Sequence, residues 1–125
     1  MQKTVLIVDD EPNIVISLKF LLENAGFDVN SESNGQAALD SIATSIPDVL
    51  VLDVMLPGLD GFQVLRELRG DPRYEKLPVL MLTAKGQRED RKTAIDTGAD
   101  VFISKPFSND EVVKAVQNLA ATANE

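Results

Sequence analysis

The chain contains neither cysteine nor histidine. Lack of cysteine removes disulfides, thiolate nucleophiles and sulfur-bound zinc. Lack of histidine removes the imidazole base, the Ser-His and Cys-His pairs and the imidazole metal ligand. Carboxylates, hydroxyls and amines are the nucleophiles left, and any bound metal must be a hard cation held by oxygen: magnesium, calcium or manganese. Long apolar runs are missing too, and no basic-then-apolar leader opens the chain, so a cytoplasmic protein with no membrane partner is expected. Basic residues are in deficit, 12 Lys and Arg against 20 Asp and Glu, for a net charge of −8. That sign argues against nucleic-acid binding by this chain, because phosphate contacts need a basic surface.

What is present is ordinary in amount and unusual in arrangement. A chain of 125 residues, 44% hydrophobic and 26% charged, is expected to form a single domain over 1–125 with one real core. Short apolar runs alternate with helical patterns, the signature of an α/β fold built on a parallel sheet. Strands are predicted at 4–8, 27–32, 49–52, 79–82 and 101–104. Four are almost continuous Val, Ile and Leu, as strands covered on both faces must be. The polar, alternating FDVNSES is assigned to a sheet edge.

Five helices are predicted between and after the strands. The first, 12–25, starts on Pro12 and stops at Gly26, with Ile14, Leu18, Leu21, Leu22 and Ala25 as its apolar stripe. The second spans 35–44 and the third 62–69, with Asp60 before it as a turn former or helix cap. The fourth, 87–97, offers only Ala94 and Ile95 to a core, so it should be the loosest held and is a candidate moving part. A merely polar surface helix is the alternative. The fifth opens on Ser108 with Glu111 three residues on, a capping-box pattern, and presents Val112, Val116, Leu119 and Ala123 on one face.

The apolar runs finish on reactive residues. TVLIVDD ends on Asp9 and Asp10, VLVLD on Asp53, VLMLT on Thr83 and VFISK on Lys105. Right-handed crossovers put all parallel strand ends at one edge of the sheet, where doubly wound folds hold their ligands. These five residues should therefore converge. Three carboxylates brought together repel by roughly 4 kcal/mol per pair at about 4 Å, and one lysine does not offset that. A divalent cation does, and magnesium fits best, because it takes one or two carboxylates and fills its shell with water and phosphate. Successive side chains of an extended strand point in opposite directions, so Asp9 and Asp10 should differ in how they meet the metal. Asp53 and Thr83 are the candidate nucleophiles, and a carboxylate can attack phosphorus to give an aspartyl phosphate, with metal and Lys105 offsetting the charge. Each residue has a plainer reading: Asp9 or Asp10 as a cap, Asp53 as a turn former, Thr83 as the cap of the next helix, Lys105 as a surface charge. The joint pattern favours a phosphoryl-transfer site.

VDDEP, VLDVMLPGLDGF, MLTAKG and ISKPF, in this order and spacing, closely resemble the receiver domains of two-component response regulators. The resemblance covers essentially the whole chain. It implies a flavodoxin-like, doubly wound sheet in the order 2-1-3-4-5. It also implies that Asp53 accepts a phosphoryl group from a histidine kinase or a histidine phosphotransfer protein. Asp10, Asp53 and the backbone carbonyl of Met55 would bind Mg2+, and Asp9 would do so through water. Thr83 would act as the switch hydroxyl, Lys105 would pair with the phosphoryl group, and the Lys105–Pro106 bond would be cis. Phe102 would be the switch aromatic, with Met55 and Lys85 tuning the dephosphorylation rate. The output face would comprise 85–97, 101–104 and 108–117. The partner would be a downstream effector protein or a C-terminal output domain, and the chain a monomer or a phosphorylation-dependent dimer.

Three rivals are weaker. A metal-dependent phosphatase needs a second acid/base beside its nucleophile, and position 55 is Met, so the chain is expected to be no enzyme beyond acting on itself. A pseudo-receiver predicts a missing acid or lysine. Direct DNA binding conflicts with the charge.

Overall fold

The computed structural model describes residues 2–83 and 88–122, without the side chains of 88–90 and 122. Five strands, β1 (Thr4–Val8), β2 (Asp28–Glu32), β3 (Val49–Asp53), β4 (Val79–Thr83) and β5 (Val101–Ser104), form one parallel sheet in the order β2-β1-β3-β4-β5. Five helices, α1 (Pro12–Asn24), α2 (Gly35–Thr44), α3 (Gly61–Arg69), α4 (Arg88–Thr97) and α5 (Asn109–Thr122), alternate with them. The expected doubly wound order is thus observed, and the polar run at β2 does lie at an edge. Asp53 and Thr83 are the last residues of their strands and share the strands' burial.

The period of two along each strand divides the core into two layers. Leu6, Val8, Leu50, Leu52, Val79 and Met81 face one side, where α2, α3 and α4 cover them with Ile42, Val64, Leu65, Leu68 and Ala94. Val5, Ile7, Val49, Val51, Leu80, Leu82 and Ile103 face the other, under Leu18 and Leu22 of α1 and Val112 and Val116 of α5. Continuing the alternation past the strand ends puts Asp9, Asp53 and Lys105 on the α1/α5 side. Thr83 falls on the α4 side, where Phe102 packs half-buried.

Helix ends follow local chemistry. Gly26, at φ +99°, takes the left-handed conformation that lets the chain leave α1. Asp60 is the N-cap of α3, and Gln63 completes a reciprocal capping box with it. Ser108 Oγ accepts from the Glu111 N–H at 3.1 Å, while Ala123 lies outside the described residues. One apolar expectation fails: Ile95 is 56% exposed, leaving Ala94 as the only residue of 91–97 that is buried, while α1 turns outward Ile16 and Phe20, which lie off its expected stripe. Helix α4 is therefore held by less apolar burial than the pattern of its sequence suggested.

The turn that follows α4 is tied down by polar contacts. At the far end of α4 from the strand termini, Arg69 of α3 donates through Nε to the carbonyl of Gly98 at 3.0 Å and through Nη1 to that of Tyr74 at 3.0 Å. Its Nη2 reaches Asp100 Oδ2 at 3.2 Å, and the same oxygen accepts from the Val79 N–H at 2.8 Å. Burial lowers the Arg69 pKa, and Asp100 opposes the shift. No described helix is long and apolar enough to cross a membrane.

Candidate functional site

The carboxyl ends of β1, β3, β4 and β5 meet as the parallel topology requires. Asp53 closes the central strand, with 2% of its surface exposed. Gly61 makes this placement possible: α3 begins directly against the end of β3, and a Cβ at Gly61 would lie 2.3 Å from the Asp53 carbonyl oxygen. The Gly61 N–H donates to the Val54 carbonyl at 2.9 Å, so the turn through 54–60 closes on the strand it leaves.

Around Asp53 stand the residues named from the sequence. Asp9 is buried and Asp10 exposed, the opposed orientations expected of neighbours on an extended chain. Asp9, Asp10 and Asp53 each offer a carboxylate oxygen, and these lie within 4.8 Å of one another. Such a group of hard oxygens matches the donor set of a hard divalent cation. Lys105 Nζ donates to Asp9 Oδ2 and Asp53 Oδ2, both at 3.3 Å, and the Lys105–Pro106 bond is cis. Thr83 is buried on β4, one residue past Leu82, the cross-strand partner of Asp53, and its carbonyl accepts from the Lys105 N–H at 2.7 Å. The Met55 N–H approaches Asp53 Oδ1 at 3.4 Å, and Met55 is 67% exposed. Lys85 lies outside the described residues.

Burial pushes the Asp53 carboxyl up to about 6, with the Asp9 charge adding to the shift and Lys105 and the Met55 N–H opposing it. For Lys105, burial acts to lower the pKa, yet Asp53 and Asp9 outweigh it and the net shift is upward. The pocket thus holds a poorly solvated carboxylate that is largely ionised at neutral pH, beside a firmly charged ammonium. Carboxylate nucleophile, cation and clustered hard oxygens together suit attack on an electrophile that brings its own negative charge.

Of the plainer readings, one is partly realised. Asp9 Oδ1 accepts from the Glu11 N–H at 2.9 Å, a local loop contact, and neither aspartate caps α1, whose N-cap is Glu11. One residue at the site was not singled out from the sequence. Glu11 Oε1 lies 3.2 Å from Lys105 Nζ. Its signal was its place in DDEP, an acid directly after the aspartate pair and held in position by Pro12. Beside the site a groove of ≈ 380 Å³ runs along Asp10, Pro12, Val15 and Ile16.

The comparisons with known proteins point one way. The family model described as the response regulator receiver domain matches residues 5–117. The alkaline phosphatase synthesis transcriptional regulatory protein PhoP of Bacillus subtilis is 45% identical, aligning with 100% of this chain and 54% of its own length. Response regulator Rre1 of Synechocystis is 42% identical over 94% of this chain and 52% of its own. This chain therefore spans about half the length of the curated relatives it matches. Among solved structures, the receiver domain of the Francisella response regulator 1452 superposes with a TM-score of 0.90 at 34% identity, covering 97% of this chain and 98% of that one.

Proposed function

The chain belongs to the response regulator receiver family of two-component systems, and on that premise we propose that it is a phosphorylation-controlled receiver with Asp53 as its phosphoacceptor. The observation that carries this reading is the setting of Asp53. It is a buried carboxylate at the end of the central strand, with an ammonium at 3.3 Å and two further acids close by. In the transfer, an Asp53 oxygen forms a bond to phosphorus as the bond from phosphorus to the donor's imidazole nitrogen breaks. The imidazole leaves neutral, because its other nitrogen carries a proton. The chain contains no histidine, so a phosphohistidine donor has to lie outside these 125 residues, on a sensor histidine kinase or a phosphotransfer protein.

Asp10, Asp53 and the Met55 carbonyl would hold Mg2+, with Asp9 acting through water, and the bound ion would supply positive charge against the phosphoryl oxygens. Lys105 supplies the second cation, and the neighbouring carboxylates, which shift its pKa upward, keep it charged at neutral pH, where Asp53 is also ionised. Burial leaves Asp53 poorly solvated, which raises its reactivity as a nucleophile.

Phosphorylation converts one negative charge to roughly two and adds acceptor oxygens. Thr83, at the end of the adjacent strand, is the hydroxyl nearest in topology to bond one of them, and Phe102 shares its face of the sheet with Thr83 and α4. A shift of Thr83 toward the phosphoryl group frees space for Phe102, and the face formed by α4, β5 and α5 settles into a second arrangement. That face would then bind an effector protein or an output domain, as a monomer or a phosphorylation-dependent dimer. The domain itself would act in the cytoplasm, bind no nucleic acid and turn over no substrate but itself. Met55 and Lys85 would tune the phosphoryl lifetime.

The test is incubation with acetyl phosphate and Mg2+ followed by intact-mass measurement. One added phosphoryl mass, absent in Asp53→Asn and in metal-free protein, is the expected result. No added mass on folded, Mg2+-saturated protein would overturn the assignment.

A further inference from the structure

An ammonium group has three protons to donate, and Lys105 has three carboxylate partners among the described residues. They are Asp9 Oδ2 at 3.3 Å, Asp53 Oδ2 at 3.3 Å and Glu11 Oε1 at 3.2 Å. The partners differ in solvation. The Asp9 and Asp53 side chains are 0% and 3% exposed, whereas that of Glu11 is 60% exposed and stands at the mouth of the cleft. A phosphoryl group arriving at Asp53 brings oxygens that need donors, and Lys105 can offer one only by giving up a present partner. The bond in contact with water is the weakest of the three, since solvent and salt screen it and readily replace it.

The backbone indicates that Glu11 has little other work. It occupies the N-cap of α1, a position that favours Ser, Thr, Asp or Asn because their short side chains reach back to free N–H groups. The Glu11 side chain makes no such bond. Its own N–H is tied to Asp9 Oδ1 at 2.9 Å, and its carbonyl accepts from Ile14 and Val15. Pro12 follows with a fixed backbone angle. The residue is thus anchored on both sides while its carboxylate is aimed at Lys105.

We propose that Glu11 is a positioning residue of the phosphoryl site, a displaceable counter-ion that occupies the third proton of Lys105 until a phosphoryl group takes it. This rests on the reading of Asp53 as acceptor. While unphosphorylated, Glu11 holds the Lys105 ammonium toward the mouth of the cleft and adds a negative charge on the approach path of an anionic donor. Both effects slow phosphorylation by a small dianion, and both act through charge. On phosphorylation the carboxylate is released to water, a role that buried Asp9 cannot fill.

The experiment compares wild type with Glu11→Gln, which is close in size and lacks the charge. Phosphorylation by acetyl phosphate is followed by intact mass at Mg2+ concentrations that saturate each protein, at low salt and near 1 M salt, where the screening length is about 3 Å. The expected result is a rate increase of about threefold to tenfold in the variant at low salt, shrinking toward equality at high salt. A structural role alone would not produce that salt dependence. Equal rates at low salt, or a difference that persists unchanged at high salt, would overturn the proposal while leaving Asp53 as acceptor. Absence of phosphoryl mass on folded protein of both kinds would overturn the acceptor reading and this proposal with it. Circular dichroism establishes folding, and Glu11→Ala, which also removes the charge, must behave as Glu11→Gln does.

Discussion

Asp53 carries a cost that the metal-free protein exposes to pH. Its folded pKa of about 6 stands above the unfolded value of 3.8, so the folded state binds the proton more tightly. The stability difference is most favourable below the unfolded value and declines as pH rises through the window between the two. Above about 6 the buried charge is a full penalty, on the order of 3 kcal/mol for a shift of about two units. Asp53→Asn removes the charge. The variant should be the more stable protein near neutral pH, with the gap closing toward pH 4, as urea unfolding across that range would report. A gap independent of pH would contradict the assignment of burial as the cause. Gly61 is the second sensitive residue. A Cβ there would meet backbone at 2.3 Å, so Gly61→Ala should cost about 1–3 kcal/mol or more in urea unfolding and displace the end of β3. A smaller effect is expected at Gly70, where a Cβ would stand 3.3 Å from the Arg66 carbonyl oxygen, a tight contact that a shift of a few tenths of an ångström would relieve.

Among the elements, α4 separates what the sequence could disclose from what it could not. Strand positions were legible because buried parallel strands must be continuous in Val, Ile and Leu, and β1 and β5 fall where those runs predict. The convergence of Asp9, Asp10, Asp53 and Lys105 was legible from topology alone. The exposure of Ile95 was not, because one apolar residue beside Ala94 does not reveal which of the two points inward. The Arg69–Asp100 contact was not legible either: 31 positions separate the two, and no local pattern links them. The same holds for Glu11 and Lys105, paired across 94 positions. Arg69→Met tests the first of these links. Loss of three hydrogen bonds, each worth about 1 kcal/mol, should lower stability by roughly 2–3 kcal/mol. Amide exchange should accelerate most in α4 and at the start of β5, and a uniform acceleration would argue that Arg69 serves only global stability.

At the scale of the whole molecule, acidity and metal act together. With a net charge of −8 and three acids within 4.8 Å of one another, the fold concentrates repulsion where a cation is best placed to relieve it. Mg2+ should therefore raise the melting temperature, with about 1.4 kcal/mol of added stability for each tenfold excess over its dissociation constant. Asp53→Asn should blunt that response, and a melting temperature indifferent to Mg2+ in the wild type would remove the metal from the account. The Arg69 mooring has a mechanical consequence for the same arrangement. It ties down Gly98, just past α4 and on the end of the sheet opposite Asp53, so any tilt of the helix would pivot far from that carboxylate. Ten residues at 1.5 Å each make an arm of about 15 Å, and a tilt of about ten degrees would sweep its free end through between about 2 and 3 Å. Because that anchor is polar and part-exposed, its stiffness should be set by single substitutions at Arg69 or Asp100 that leave the residues around Asp53 untouched.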